Sequence, residues 1–187
     1  MNPVFKNRHN LSHNVGDRLV WESRSAAVNG VVAVFLHNHE YPFILVSERG
    51  PKAADYQGLM NVVAGYLDWD ESGTEAIYRE IWEETGLDLE RFAYMNKQTI
   101  IFKDNLMNPW HVNTNPSENR QNISLRYGIV LERTDDLLPE LSLKHNEVVG
   151  EVSKAFWMPL NEIDNYKWAF NHDQVIKDYI KLANSNK

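Results

Sequence analysis

Residues 65–87 read GYLDWDESGTEAIYREIWEETGL, and the rest of the chain can be understood outward from this stretch. The stretch contains many acidic residues and a single basic residue, Arg79. The acidic residues are Asp68, Asp70, Glu71, Glu75, Glu80, Glu83 and Glu84. Two carboxylates about 4 Å apart repel each other by roughly 4 kcal/mol at an effective dielectric constant near 20. A bound cation is the simplest way to offset such repulsion, so the stretch indicates a metal site.

The second half of this stretch predicts a helix. Ser72 followed by Glu75 has the spacing of a capping box, which satisfies the free amides at a helix start. Gly86 is suited to the position just beyond a helix end. Apolar residues recur between them at helical spacing, at Ala76, Ile77 and Ile81. The pattern therefore predicts an amphipathic helix from about residue 72 to residue 86.

Three glutamates of this helix are placed to act together. Glu80, Glu83 and Glu84 stand at positions i, i+3 and i+4, so their carboxylates share one helix face. Oxygen ligands favour Mg²⁺ or Mn²⁺ over zinc or copper. The alternative interpretation is a solvated acidic helix face, which is the usual meaning of a run of charge.

The spacing in residues 65–87 resembles the signature of the Nudix hydrolase family at every fixed position. The matching residues are Gly65, Glu71, Arg79, Glu80, Glu83, Glu84 and Gly86, with apolar Ile81 and Leu87 between or after them. The resemblance implies an α/β fold, an α/β/α sandwich with a mixed β-sheet between helices. It also implies hydrolysis of the pyrophosphate bond in a nucleoside diphosphate linked to another group.

The resemblance assigns roles residue by residue. The implied metal ligands are the carbonyl of Gly65 and the carboxylates of Glu80, Glu83 and Glu84, with Mg²⁺ or Mn²⁺ as cofactor. Arg79 would orient the carboxylates through salt bridges. Glu71 would tie the loop to the helix.

The resemblance leaves two possible positions for the general base. In some members of the family it is a glutamate of the signature, which is Glu83 here. In others it is a glutamate on a loop before the last strand, where this chain has Glu147 and Glu151. Each of these two could equally be a surface carboxylate.

The composition limits the other classes of function. The 187 residues predict a single domain over residues 1–187, with an irregular segment over residues 1–17. A net charge of −7 argues against a nucleic-acid duplex or an anionic membrane as partner. Cysteine is absent, and the N-terminus has no apolar signal segment. We therefore expect a cytosolic enzyme, and a homodimer would be in keeping with many relatives.

Outside the signature, the apolar runs predict strands. Residues 31–36 and 43–47 are two β-branched runs around a short polar link, which is typical of a hairpin. Further strands are predicted at 18–22, 92–102, 123–131 and 152–158, and a last helix after Asn171. A long loop is predicted over residues 103–122, and long loops are often functional.

The substrate is the least determined property. No subfamily pattern is intact, and the proline expected near residues 102–103 in many ADP-sugar hydrolases is absent. ADP-ribose or a similar dinucleotide or nucleotide sugar is our first expectation. Arg49 could reach a phosphate or make a surface ion pair, and Trp110 could stack on a base or pack in the core. The alternatives are hydrolysis of oxidised nucleoside triphosphates and a non-catalytic nucleotide sensor.

Overall fold

The computed structural model describes residues 11–22, 25–89, 108–116, 122–133, 135–145 and 149–185. Nine strands lie in these segments: β1 Leu11–Val15, β2 Arg18–Glu22, β3 Ala26–Leu36, β4 Phe43–Arg49, β5 Met60–Asn61, β6 Val63–Tyr66, β7 His111–Asn113, β8 Ile123–Arg133 and β9 Val152–Pro159. The helices of the same segments are α1 Gly73–Thr85 and α2 His172–Ser185, together with 3-10 helices at Leu143–His145 and Leu160–Asn165.

Strand β3 is the centre of a mixed sheet. It pairs in parallel with β8 along its whole length and antiparallel with β6 near its start. Its far end meets β4 at the pairs Ala33–Ile44 and Val34–Phe43, which confirms the predicted hairpin. Strand β4 continues the sheet to β9 and β5, and β7 forms the edge beside β8. The β-branched residues of β3 and β8 suit such a central, doubly covered position.

The two faces of the sheet carry separate hydrophobic cores. Along β3, Val28 and Val32 belong to the core beneath α1, whereas Val31 and Ala33 belong to the core beneath α2. This alternation follows from the two-residue period of a strand. The Tyr179 ring of α2 lies so close to Gly128 of β8 that a β-carbon there would overlap it. The helices therefore cover opposite faces, and the predicted α/β/α sandwich is confirmed.

Helix α1 has the ends that its sequence predicts. The Ser72 hydroxyl accepts the Glu75 N–H at 3.3 Å, and the Glu75 carboxylate accepts the Ser72 N–H at 2.7 Å. Gly86 adopts a left-handed φ of 71° and donates its N–H to the Trp82 carbonyl at 2.7 Å. The buried side of α1 comprises Ala76, Ile77, Ile81 and Thr85. The buried stripe leaves the glutamates on the other side free to line a cavity.

Two expectations need correction. Residues 11–15 were expected to be irregular but form β1, because Gly16, with a φ of 61°, allows a tight turn into β2. The predicted loop 103–122 contains β7, because residues 111–113 find a free edge on β8. The expected strand at 92–102 lies outside the described residues, as do residues 1–10. Among the described residues, no helix combines the length and apolar character needed to cross a membrane.

Candidate active site

A cavity of about 980 Å³ opens beside the start of β3, between the acidic face of α1 and the N-terminal part of α2. One part of its lining, which we call the acidic wall, consists of Glu80, Glu83, Glu84 and Glu151. A second part, which we call the α2 wall, consists of Asn29, Tyr56, Arg126, Phe170 and His172. Gly65, Arg79 and Arg49 also line the cavity. Most of the residues singled out in the sequence are thus brought together.

Arg79 holds the acidic wall in place. Its guanidinium donates to both carboxylate oxygens of Glu71, at 3.0 and 2.8 Å. It also donates to Glu80 at 2.8 Å, to Glu83 at 3.0 Å and to the Tyr66 carbonyl at 3.1 Å. These acceptors, Glu71 above all, raise the pKa of Arg79 above its ordinary value. The structure therefore contains the salt bridges that the family resemblance implies.

Glu71 connects the loop to the helix, as expected. Its Oε1 accepts the Asp68 N–H at 2.7 Å while both oxygens accept from Arg79. The hydrogen bond from Arg79 is the main reason that the pKa of Glu71 lies below its ordinary value. The loop from β6 into α1 is thereby fixed to the helix surface.

Glu84 is the most enclosed carboxylate of the acidic wall. It accepts the Ala64 N–H at 3.4 Å, and its Oε2 lies 3.0 Å from the Ser47 hydroxyl. The same hydroxyl lies 3.0 Å from Asn61 Oδ1, so its single proton can serve only one of the two oxygens at a time. Burial, with the charge of Glu80 as a smaller cause, raises the pKa of Glu84 to about 8.

Glu80 lies directly against the backbone of β6. A β-carbon on Gly65 would overlap the Glu80 carboxylate, so only glycine allows this approach. Burial raises the pKa of Glu80 to about 7, although the charge of Arg79 opposes the rise. Two neighbouring carboxylates of the acidic wall therefore both resist ionisation, which is the electrostatic setting in which a cation binds well.

The donor chemistry of this wall fits Mg²⁺ or Mn²⁺, since every side-chain donor is a carboxylate oxygen. Glu80, Glu83 and Glu84 are the side chains that would hold such an ion, beside the Gly65 backbone. In the structure Arg79 bridges Glu80 and Glu83. Among the described residues, no three acidic or histidine side chains converge into a complete metal-binding set. The assignment of metal ligands therefore stays a prediction.

Of the two loop glutamates, Glu151 lines the cavity and Glu147 lies outside the described residues. Glu151 is anchored through its backbone, because its carbonyl accepts the Gly50 N–H at 2.6 Å. Its side chain is exposed, and its charge contributes to the raised pKa values of Glu80 and Glu84. Glu151 is thus close enough to the acidic wall to act there.

Arg49 lies at the cavity and is also engaged in an ion pair, so its contact with a substrate phosphate stays a prediction. It lines the cavity, and it also forms an ion pair with Asp55 at 2.8 Å. Its Nε donates to the Asp55 carbonyl at 2.8 Å, and its guanidinium lies 5.3 Å from the centre of the Phe170 ring. The ion pair is mostly buried, so Arg49 is held firmly at the cavity wall.

Trp110 does not line the cavity. It packs against the core beneath α2, with its ring centre 5.7 Å from that of Tyr179. The structure therefore favours the packing interpretation of Trp110, and its stacking on a substrate base stays a prediction. The reason is β7, which attaches this segment to the sheet edge and directs Trp110 toward α2.

Sequence reasoning missed the α2 wall. Asn29 is the one polar side chain in β3, and Arg126 is a charged residue ahead of the apolar part of β8, so both positions could have been noticed in the sequence. Tyr56 and Phe170 gave no signal, because they lie in segments without periodicity. Only the fold brings these residues into one cavity with the acidic wall.

Comparison with known proteins agrees with this fold. The family model of the NUDIX domain matches residues 28–179. An NAD-capped RNA hydrolase of Schizosaccharomyces pombe is 38% identical over 79 residues, which cover 41% of this chain and 19% of that protein. A mitochondrial NAD(P)H pyrophosphatase of Homo sapiens is 27% identical over 138 residues, which cover 67% of this chain and 35% of that protein. The matches thus span only a minor part of each relative.

Among solved structures, one similar fold is a bifunctional NMN adenylyltransferase/ADP ribose pyrophosphatase from Francisella tularensis, complexed with AMP and a Mn ion. It superposes with a TM-score of 0.62 at 23% identity and covers 85% of this chain and 42% of that one. The α/β/α sandwich and the acidic face of α1 are the features that define this class of protein. The family model also covers most of the chain. The protein therefore belongs to the Nudix hydrolase family.

Proposed function

We propose that this chain hydrolyses the diphosphate bond of a nucleoside diphosphate linked to a second group, and that the reaction requires Mg²⁺ or Mn²⁺. The observation that carries the proposal is the acidic wall, where Glu80, Glu83 and Glu84 face one cavity. A bound divalent cation polarises phosphoryl oxygens and activates water for attack at phosphorus. The chain itself contributes the ligands, their orientation by Arg79 and the cavity that receives the substrate.

We propose Glu151 as the general base. The competing candidate, Glu83, accepts a hydrogen bond from Arg79 at 3.0 Å, so one of its carboxylate oxygens is already engaged and is not free to receive a proton from water. Among the described residues Glu151 has no ion-pair partner, and it lies within the cavity. A base must reach the water that it deprotonates, and an exposed carboxylate at the cavity wall can do so.

As substrate we propose a dinucleotide such as NAD(H), or ADP-ribose. The cavity, at about 980 Å³, lies at the upper end of the range of about 300–1,000 Å³ for small-molecule sites. Such a volume leaves room for a second group beyond the nucleotide. The names of the two relatives, which act on NAD-capped RNA and NAD(P)H, support the same substrate class.

A single domain over residues 1–187, a homodimer and a cytosolic location stay predictions.

The test is a product screen with Mg²⁺ or Mn²⁺ over ADP-ribose, NAD, NADH, FAD, nucleotide sugars, diadenosine polyphosphates, coenzyme A, NAD-capped RNA and oxidised dGTP. We expect cleavage of a diphosphate bridge, with a mononucleotide among the products. Preference for oxidised dGTP would instead favour the cleansing function. Binding without turnover of any compound would favour a sensor.

Glu84→Gln is the variant that tests the role of the acidic wall in this reaction. It should remove most of the hydrolysis, yet the amide can still accept from Ala64 N–H and contact the Ser47 hydroxyl. The unfolding temperature should stay the same or rise, because the variant removes a carboxyl group whose ionisation is opposed by burial and by the charge of Glu80. Glu162→Gln, at an exposed position outside the cavity, is the control and should keep full activity. Full turnover by Glu84→Gln would contradict its role.

A further inference from the structure

The α2 wall contains two buried polar atoms that lack a partner among the described residues. Asn29 is 8% exposed and donates from Nδ2 to the Ser124 hydroxyl at 2.9 Å, whereas its Oδ1 makes no hydrogen bond. The Nε of Arg126 is likewise buried and without an acceptor. Unpaired buried polar atoms are unfavourable and uncommon in folded proteins. Each of these atoms is therefore available to a ligand.

The two atoms belong to neighbouring side chains. Asn29 on β3 and Arg126 on β8 are paired in the parallel register of the sheet. Because paired residues project to the same face, both side chains lie on the side covered by α2. An acceptor and a donor thus stand next to each other at the cavity. The Ser124 hydroxyl fixes the orientation of the Asn29 amide beside them.

The same wall carries exposed aromatic rings. Tyr56 and Phe170 are 36% and 40% exposed, and their rings meet edge to face with centres 4.7 Å apart. Both residues adopt left-handed backbone conformations, with φ of 50° and 55°. Bulky residues rarely adopt this conformation, and where they do it is often at a ligand site.

The aromatic rings and the unpaired polar atoms lie in the same region. The centre of the His172 ring is 5.4 Å from that of Phe170. His172 is also near Arg126 and Arg49, since both charges help to lower the pKa of its ring, after the larger effect of burial. All five residues of the α2 wall border one cavity.

We infer that the α2 wall binds the planar ring of the substrate, with the ring against Phe170 and Tyr56 and its edge hydrogen-bonded to Asn29 Oδ1 and Arg126 Nε. The ligand is a heterocycle that carries a donor beside an acceptor. Adenine, with its amino group and ring nitrogen, and nicotinamide, with its carboxamide, share this chemistry. The inference rests on the proposed function, because it names the part of the same substrate that lies away from the diphosphate.

The first experiment measures ring binding without catalysis. AMP and nicotinamide mononucleotide are titrated separately into the protein by isothermal calorimetry, with no metal added. We expect one of the two to bind, which identifies the ring. Phe170→Leu should weaken that binding about tenfold, as removal of a stacking ring typically does. Arg126→Met, which keeps the apolar stem and removes the donor, should also weaken it.

Two further variants exclude a merely structural role. Phe170→Tyr keeps the ring and should restore affinity to near the level of the unsubstituted protein. Trp69→Ala removes a 94% exposed ring outside the cavity and should change nothing. Equal affinity in Phe170→Leu, Arg126→Met and the unsubstituted protein would overturn the inference, as would the binding of neither mononucleotide.

Steady-state kinetics separates the inference from the proposed function. With a hydrolysed dinucleotide, Phe170→Leu and Arg126→Met should raise KM and leave kcat nearly unchanged. If hydrolysis occurs with the same KM in these variants, the assignment of ring binding to the α2 wall is wrong and the proposed hydrolysis is supported. If no dinucleotide is hydrolysed but a mononucleotide binds, and Phe170→Leu and Arg126→Met weaken that binding, the α2 wall does bind the ring and the proposed hydrolysis is wrong.

Discussion

At the scale of single residues, Arg79 explains how so many carboxylates can share one short stretch. It is the only basic residue within residues 65–87, and it contacts Glu71, Glu80 and Glu83. A guanidinium can serve several carboxylates because its five N–H donors lie in a fixed plane. Glu84 is not among its partners and is instead held by Ala64 and Ser47. The carboxylates are thus held by two separate sets of contacts.

Gly65 yields a prediction at the same scale. Gly65→Ala should displace the Glu80 carboxylate, because the new β-carbon would overlap it. A displacement of about 1 Å at a reacting centre can reduce the rate about 100-fold. Activity with Mg²⁺ is the measurement. In a Glu80→Ala background the same substitution should have little further effect, and additive losses would show that Gly65 acts independently of Glu80.

At the scale of elements, α1 owes its start to a local signal. The capping box of Ser72 and Glu75 satisfies two amides that no intrahelical carbonyl can reach. Gly86 ends the helix in the conformation that glycine adopts at least cost. Because these interactions are local, α1 was predicted with its correct ends.

The cap can be tested by substitution. Ser72→Ala should lower the free energy of unfolding by about 1 kcal/mol, because the hydroxyl acceptor of the Glu75 N–H is lost. Ser72→Gly is the matched control and should cost only a few tenths, since glycine leaves the amide accessible to water. Urea denaturation measures both. An unchanged free energy of unfolding in Ser72→Ala would mean that the hydroxyl does not cap the helix.

Helix α2 joins the sheet through a buried histidine. His172 Nδ1 accepts the Val62 N–H at 3.2 Å, and burial, followed by the charges of Arg126 and Arg49, lowers its pKa to about 3. The ring is thus neutral in the folded protein. An unfolded chain binds a proton at this histidine below about pH 6.5. Acid therefore favours unfolding between about pH 6.5 and pH 3.

This gives a pH prediction with a defined sign. On going from pH 7.5 to pH 5, His172 should reduce the free energy of unfolding by about 2 kcal/mol. His172→Asn keeps a neutral acceptor and should lose less stability than the unsubstituted protein over this pH range. His37→Asn, at an exposed site, should follow the unsubstituted protein. Parallel pH profiles for His172→Asn and the unsubstituted protein would contradict the assignment.

At the scale of the whole molecule, the cavity lies where several elements meet around one sheet. Strands β3, β6 and β8 and both helices contribute to its lining, so cation binding should stabilise the entire fold. Mg²⁺ at ten times its Kd should add about 1.4 kcal/mol to the free energy of unfolding. For a domain of this size the unfolding temperature should rise by about 3–6 °C.

Calorimetry with and without Mg²⁺ measures this rise. Glu84→Gln should lose most of it, whereas Glu162→Gln should retain it. An unfolding temperature that does not respond to millimolar Mg²⁺ would contradict the metal assignment.

The sequence by itself determined the family, the ends of α1, the β3–β4 hairpin and the three glutamates that α1 contributes to the acidic wall. These features depend on local spacing: helical periodicity, a capping box and a signature within residues 65–87. Such signals are readable because residues three or four apart on a helix are always neighbours.

Only the tertiary structure decided the place of β7, the packing of Trp110 and the α2 wall. Asn29 and Arg126 are distant in sequence and meet because β3 and β8 pair in parallel. Tyr56 and Phe170 meet through two loops that carry no periodic pattern. Parallel pairing and loop contacts depend on how the whole sheet is assembled, so they cannot be predicted from the local spacing of residues.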